Sequence, residues 1–435
     1  MSALAHPRIL MLLENLPFPQ DFRVRREAAA LSAGGYRVSL ICPRASGQRF
    51  HEAIGGVRVY RYPAPVSATG FLGYAWEYGY AMVASFVLSV CVWIRDGFDV
   101  VHAHNPPDTF VFIAAFYKLF GKRFVYDHHD LSPEMYRAKL RNGGHAVVYH
   151  VLVWLERLTC RIADHVIVTN ESYKRVAMRR CRVPASRITI VRNGIELSRL
   201  RRAVEPHRAV GRHSGTLIGY VGMMGYQDGV DYLLRALHHL RRDLNRHDFH
   251  CILIGGGDAL PGLKALTERL GLNDRVAFLG PVFGDELLSY LSAADICVEP
   301  SPSNPYTDHS TMFKIMEYMS LGKPIVAFDL HEHRVTAQEA AVYVEPDDER
   351  AFGKALADLM DDPGRRHRLG AHGKRRIELE LAWDYSIPRL LDAYRAVLPV
   401  STPSWWMASP AADVAVRSRW SSLSSTQNHE ANDRG

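Results

Sequence analysis

The sequence predicts an α/β protein of two successive domains, each built on a parallel sheet. Three observations carry this reading. Short apolar strand-like runs alternate with helical stretches; the alternation stops at an Arg-rich aperiodic stretch and then starts again; and 435 residues at 47% hydrophobic content can bury two cores. In the first series the strands are RILMLL, YRVSLIC, VRVYRYP, DVVHAH, RFVYDHH, HVIVTN and ITIVRN. Each is rich in apolar side chains, many of them β-branched, and the intervening stretches hold helical periodicity. The second series is LIGYVG, HCILIGG, VAFLG, ICVEP, PIVAFD and AVYVEP. The expected layout is a first domain over 1–197, a linker over 198–214, a second domain over 215–382, a last amphipathic helix over 383–400 and a tail over 401–435. The tail is Ser-rich and aperiodic, a composition that marks disorder.

The net charge of +7 conceals an asymmetry, because residues 1–200 hold 26 Lys and Arg against 15 Asp and Glu, and residues 201–435 hold 27 against 31. The basic half is the one expected to meet an anionic or membrane-linked partner. Nucleic acid is not expected, since no zinc-finger, RNP-type or heptad pattern accompanies the charge. The six cysteines are scattered without a CxxC pair and read as free thiols in a reducing cytoplasm. The N-terminal apolar run is too short for a secretory signal and is read as the first strand. Residues 78–94 carry no charge. The expectation is a long buried helix, because the DVVHAH strand follows at once; contact with a membrane interface is the alternative. Residues 147–163 are read in the same way as a core helix.

The chemistry concentrates in EPSPSNPYTDHSTMFKIMEYMSLGKPIVAFD, residues 299–329. A strand delivers a Pro/Ser/Asn-rich loop onto a helix expected over 311–321, with Asp308, Ser310 and Thr311 as candidate caps. The first-turn N–H groups and the positive end of the helix dipole suit a phosphate. Lys314 in that first turn is opposed by the dipole at ~0.3–1 kcal/mol, so its presence favours an anion that binds both. Glu317 lies almost one turn further, where its carboxylate can accept hydrogen bonds from ribose hydroxyls. Gly222 and Gly225 in YVGMMG, and Gly255, Gly256 and Gly257 after HCILI, end neighbouring strands. They suit either close approach to a phosphate or tight strand-to-helix turns.

This segment resembles the donor site of retaining glycosyltransferases of family 4, which have two Rossmann-like domains facing across a cleft, the GT-B fold. The resemblance also rests on RILMLLENLPFPQDFRVRREAAALSAGGYRVSLIC, DVVHAHNPPD, YDHHDLSPEMY, ITIVRNGIE, IGYVGMMGYQDGVDYLLRAL and VAFLGPV, and runs from Arg8 to about Leu398. It implies that the last helix crosses back to the first domain, that no metal or cofactor is needed, and that Val282 and the 309–311 segment (His309, Ser310, Thr311) belong to the donor site. His129 matches a family His that points at the donor sugar. The sequence departs from the family where many members carry an Arg, a Lys and a first Glu. Here Met223, Asp228 and His309 stand in those places, which leaves Lys314 as the principal cation and Arg23 as a candidate substitute. The pattern STMFKIMEYM resembles a subgroup whose members build surface polysaccharides.

The expected catalytic residues are thus His129, Lys314 and Glu317, and Arg23, His104, Asn105 and Asp130 are candidates for acceptor or sugar hydroxyls. Arg25 and Arg26 read as solvated partners of Glu27, and His102 as structural. The His-rich strand ends prompt a metal hypothesis, but a full site would need two separate loops, so none is assigned. The implied activity is transfer of a sugar from a nucleoside-diphosphate-sugar to a glycan or polyprenyl-diphosphate-linked acceptor with retention. The setting is the cytoplasm, with an anionic membrane surface as a further partner. A weakly catalytic nucleotide-sugar-binding subunit and a nucleotide-sugar epimerase are the alternatives.

Overall fold

The structure is a computed structural model describing residues 6–65, 70–140, 143–200, 202, 204–207 and 215–398. The expected tail, and most of the expected linker from 201 onward, lie outside the described residues. The chain divides into two compact units: Met1–Ser132, His150–Val191 and Ser386–Gly435 form one, and Pro133–Tyr149 with Arg192–Tyr385 form the other.

Every strand-like run of the sequence becomes a strand. The first unit holds β1 (Arg8–Leu12), β2 (Arg37–Arg44), β3 (His51–Ile54), β4 (Val57–Pro63), β5 (Val100–His104), β6 (Arg123–His128), β7 (His165–Val168) and β8 (Ile188–Ile190). They lie in the order β3-β4-β2-β1-β5-β6-β7-β8, parallel except for the β3–β4 hairpin, which Gly55 and Gly56 turn with positive φ. The second unit holds β9 (Thr216–Val221), β10 (Phe249–Ile254), β11 (Val276–Gly280), β12 (Ile296–Glu299), β13 (Ile325–Phe328) and β14 (Ala341–Val344), all parallel in the order β11-β10-β9-β12-β13-β14.

Burial explains the continuous apolar runs. In β9 and β10, Leu217, Val221, Ile252 and Ile254 face one core, while Ile218, Tyr220, Cys251 and Leu253 face the other. Helices therefore cover both faces, as parallel sheets require. Strand order reverses between β1 and β5 in the first sheet and between β9 and β12 in the second. Open α/β sheets bind ligands at such points, beyond the carboxyl ends of the strands.

Two helices depart from expectation. The helix Gly70–Arg95 is not a buried core helix: Trp76, Val83, Val87 and Ile94 are exposed. The helix Ala146–Ile162 buries Val153, Leu155 and Cys160 but exposes Val147, Val151 and Trp154. The last helix, Ser386–Val397, packs within the first unit, where Tyr394 donates to or accepts from His102 Nδ1 at 2.6 Å. Five cysteines are buried and Cys91 is exposed.

Candidate functional site

In the second unit the switch point brings Lys314 to the carboxyl ends of β9 and β12. Its ammonium lies 3.0 Å from Glu299 at the end of β12, 3.2 Å from the Tyr220 hydroxyl and 3.8 Å from Asp228, and over the Tyr220 ring. Burial opposes the charge, but Glu299, Tyr220 and Asp228 outweigh it, and the Lys314 pKa is held above the usual value. Burial likewise pushes Glu299 up, but Lys314 and His333 override it and keep the carboxylate below its usual range. Asp228 is raised by burial, despite Lys314 and the Gly225 N–H it accepts at 3.0 Å.

The helix carrying Lys314 is Phe313–Ser320, shorter than expected, and its N-cap is Met312 with no side-chain cap bond. The three candidate caps are used elsewhere. Ser310 Oγ donates to the Tyr306 carbonyl at 2.7 Å, Thr311 Oγ1 donates to Glu332 at 3.2 Å, and Asp308 accepts from Ser303 Oγ at 3.0 Å. His309 Nδ1 bonds the Pro305 carbonyl at 2.8 Å. These bonds fold the 303–311 loop back on itself before the helix begins. Glu317, one turn beyond Lys314, has the Arg199 guanidinium 3.8 Å away. Val282 follows β11, half-buried against the core.

The glycines divide into two roles. The loop after β9 extends the ladder with the loop after β10: Gly222 N–H donates to the Ile254 carbonyl at 3.0 Å, and Met224 N–H to Gly256 at 2.9 Å. A Cβ on Gly255, at φ +134, would lie 1.9 Å from the Gly222 oxygen, and one on Gly257 2.7 Å from that of Met224. Those two serve the contact between loops. Gly222 is different, because its missing Cβ would point at Lys314 Cε and Nζ, 3.0 and 3.1 Å away. Gly225 has φ −90 and needs no glycine conformation.

In the first unit Asp127, at the end of β6, is the hub. Arg23 grips it with Nε–Oδ2 at 2.7 Å and NH2–Oδ1 at 2.6 Å, and His104 and His129 each place Nδ1 2.9 Å from Oδ2. Burial raises the Asp127 pKa, but Arg23 and His129 overwhelm it and hold the carboxylate well below its usual range. Burial lowers His129, and Asp127 reverses this and pushes it up to about 9. Its side chain remains 13% accessible. Asn105 clamps the turn: Oδ1 accepts the N–H of His129 at 2.9 Å and of Asp130 at 3.0 Å, while Nδ2 donates to the Asp130 carbonyl at 2.6 Å.

Arg23 does not serve as the substitute cation for a phosphate. It is buried, with Asp127 and Glu27 (3.0 Å) as ion-pair partners and the Val191 carbonyl at 3.1 Å. Arg26 is buried and not solvated, and it is Arg23 that pairs with Glu27. Burial, with Asp127 close by, pushes Glu27 up to about 8. Glu27, His102, His104 and Asp127 offer metal-type donor atoms within 4.8 Å of one another. The Arg23 guanidinium already holds both of the carboxylates, so a cation occupies that charge.

Two family models match. One described as Glycosyltransferase Family 4 covers residues 22–199, and one described as Glycosyl transferases group 1 covers residues 215–362. The chain belongs to the family 4 glycosyltransferases. It is 25% identical over 362 residues to an uncharacterized glycosyltransferase of Methanocaldococcus jannaschii, covering 80% of this chain and 87% of that one. Among solved structures it is similar to a sucrose-phosphate synthase from Thermosynechococcus elongatus (TM-score 0.72, 19% identity, 93% of this chain and 100% of that one). It is also similar to the Anabaena HepE protein in complex with UDP-glucose (TM-score 0.67, 16% identity, 90% and 100%). These likenesses give the GT-B fold, with two Rossmann-like domains.

Reading the glycosyltransferase from its sequence missed three residues of the two clusters. Glu299 and Asp127 each end an otherwise apolar strand, and a carboxylate in such a place must be paired once buried. That signal was present. Tyr220 carried none, since a Tyr in a buried strand is ordinary core.

Proposed function

We propose that this glycosyltransferase moves a sugar from a nucleoside-diphosphate-sugar to a hydroxyl of a glycan or polyprenyl-diphosphate-linked acceptor, with retention, without metal or cofactor. The observation that carries the reading is Lys314, a buried cation at the switch point beside Gly222, where no Cβ blocks approach. Glycosyl transfer builds negative charge on the departing diphosphate, and a fixed cation there stabilises the transition state more than the ground state. Lys314 takes that part, and Glu317 accepts hydrogen bonds from the ribose. The loops bearing Gly222, Gly225, Gly255 and Gly257, with Val282, His309, Ser310 and Thr311, complete the donor site. His129, cationic at neutral pH and fixed by Asp127 and Asn105, donates from its exposed edge to a sugar hydroxyl. His104 and Asn105, both buried, hold that turn, and Asp130, partly exposed, is the candidate left to meet acceptor hydroxyls. The leaving phosphate serves as base, so no protein nucleophile is assigned. Manufacture of a surface polysaccharide at the inner face of the cytoplasmic membrane suits such an acceptor.

The test incubates the protein with a panel of nucleotide sugars and a membrane extract, with a chelator present, and reads the product anomer by NMR. A product with the donor's anomeric configuration is expected. An inverted product refutes retention, dependence on a divalent ion refutes metal independence, and conversion of the donor with no acceptor favours the epimerase.

A further inference from the structure

We propose that the face made by the helices Gly70–Arg95 and Val111–Lys118 rests on an anionic lipid leaflet. The inference rests on the lipid-linked acceptor reading, but its test contains no acceptor, so either can fail without the other. The first observation is an inverted amphipathicity. Over Trp76–Arg95 the mean hydropathy is 1.5, yet only 22% of the most apolar window is buried. The side turned to the sheet carries Ala81, Ser85 and Ser89, all fully buried, with Ser89 Oγ bonded to the Phe86 carbonyl at 2.6 Å and the Tyr117 hydroxyl at 2.8 Å. The side turned outward carries Trp76, Val83, Val87 and Ile94, which recur on one stripe of the helix. A water-facing helix has the reverse arrangement.

The second helix widens the stripe. Ring contacts of Phe86 with Phe116 at 5.2 Å and of Trp93 with Phe120 at 5.0 Å set the two helices side by side, and Leu119 and Phe120 are exposed beside Ile94. From Trp76 to Ile94 the ridge is roughly 27 Å long at ~1.5 Å per residue. It is a surface ridge and not a span, because its inner side packs on the first unit. Both helices precede parallel strands and so run against them. Their C-terminal ends therefore lie at the amino edge of the sheet, and Trp76 lies toward the carboxyl edge that bears His104 and His129.

Charge decides the occupant. At the amino edge the carboxylates are already paired: Asp96 with Arg58 at 2.6 Å, Asp99 with Arg8 at 3.1 Å and Asp164 with Lys118 at 2.8 Å. Arg123 shares Asp164 with Lys118 at 3.5 Å, and Arg95 and Lys122 stand there beyond the paired carboxylates, next to the most exposed apolar residues. A second copy of this face would bring like charges together. An anionic leaflet takes both the apolar ridge and the cations, as at a monotopic interface.

The experiment co-sediments the full chain with vesicles of phosphatidylcholine alone and of phosphatidylcholine mixed with phosphatidylglycerol, at low and high salt. Two variants accompany it: Val83→Ser/Val87→Ser/Ile94→Ser, and Arg95→Glu/Lys122→Glu. All five side chains lie outside the core, and unchanged melting temperatures check the fold. Recovery with the mixed vesicles at low salt is expected, with loss at high salt and about a tenfold or greater drop in partition for each variant. An environment-sensitive dye on Cys91, the exposed thiol on this helix, should shift to the blue with the mixed vesicles alone. The proposal is overturned if the protein stays in the supernatant under every condition, or if both variants pellet as well as the parent. A dimer in sedimentation velocity that the serine variant dissociates, without vesicle binding, assigns the face to a second copy instead.

Discussion

Replacing Lys314 by Met, alone and together with Glu299→Gln, separates a structural role from the catalytic one proposed for it. Glu299 is fully buried, and its charged partner is Lys314 at 3.0 Å; what remains without it is the Ser301 N–H at 3.2 Å and His333 at 3.9 Å. Breaking a buried pair by removing one member costs about 3–5 kcal/mol, since the other charge is stranded in a low-dielectric site. Lys314→Met should therefore be destabilised by that amount in chemical denaturation and be nearly inactive. Adding Glu299→Gln removes the stranded charge, and because a neutral pair of similar volume is often as stable as the ion pair, most of the loss should return. Activity should not. A fixed cation aimed at a leaving diphosphate is worth about 10²–10³ in kcat/KM, and the double variant should stay down by that factor although it is folded. Steady-state transfer assays and urea titrations on the three proteins settle the matter. If the double variant regains parental kcat/KM, Lys314 is a structural ion and its place at the switch point has no catalytic meaning. If Lys314→Met alone is as stable as the parent, the ion pair does not carry the stability assigned to it.

Glu317→Gln should weaken nucleoside diphosphate binding by roughly 1.5–3 kcal/mol, the worth of one hydrogen bond to a charged group since Gln keeps one acceptor oxygen, as read by calorimetry with UDP and GDP. Unchanged affinity for both would remove Glu317 from the nucleotide site. Stability should fall as pH rises from 6.5 to about 9, because His129 is protonated in the folded state up to about 9 and the folded chain then binds more protons than the unfolded one. The drop from this group is of order 2–3 kcal/mol. Glu27, pushed up to about 8, gives up its proton over part of the same range and adds to the fall, so His129→Asn should lessen the slope in melts, most clearly between pH 8 and about 9; an equal slope in both proteins would refute the assignment. Gly255→Ala should cost more than ~2 kcal/mol, as its Cβ meets the Gly222 oxygen at 1.9 Å from a backbone φ of +134. A Gly255→Ala protein as stable as the parent would show that the two loops can part.

The strands were legible because burial on both faces of a parallel sheet demands unbroken apolar runs. β3 was not, since His51–Ile54 is an edge strand with alternating exposure and no such run. The position of Lys314 in a first helical turn could be read from apolar spacing, but its partner Glu299 lies across a loop whose fold depends on Asn304 and Thr307 bonding to each other. Arg23 shows the limit more sharply. Its charge run read as a solvated helix face, and the carboxylate that draws it inward is over a hundred residues away in β6. The orientation of residues 78–94 was illegible for another reason: every turn is apolar, so no period distinguishes inside from outside, and the small Ser and Ala residues that fit against the sheet decide it.

Each sheet has built a similar device at its switch point, a cation held by two carboxylates. Arg23 lies between Asp127 and Glu27, and Lys314 between Glu299 and Asp228. The two are not equivalent, and their burial says why. Arg23 makes two short bonds to Asp127 and reaches a backbone carbonyl as well, so its donors are directed inward and its field ends on the His129 turn. It acts by positioning. Lys314 has one close carboxylate, a second at 3.8 Å whose own pKa is raised, and a glycine where a side chain would otherwise cover it. An anion arriving at Gly222 competes with Asp228 for this ammonium, and the rise in the Asp228 pKa means that taking up a proton there costs less than it would in water. The second device is therefore open to a substrate at Gly222, whereas Arg23 is closed off by its own bonds and its burial. On that difference rests the proposal of charge stabilisation for the second unit and sugar orientation for the first.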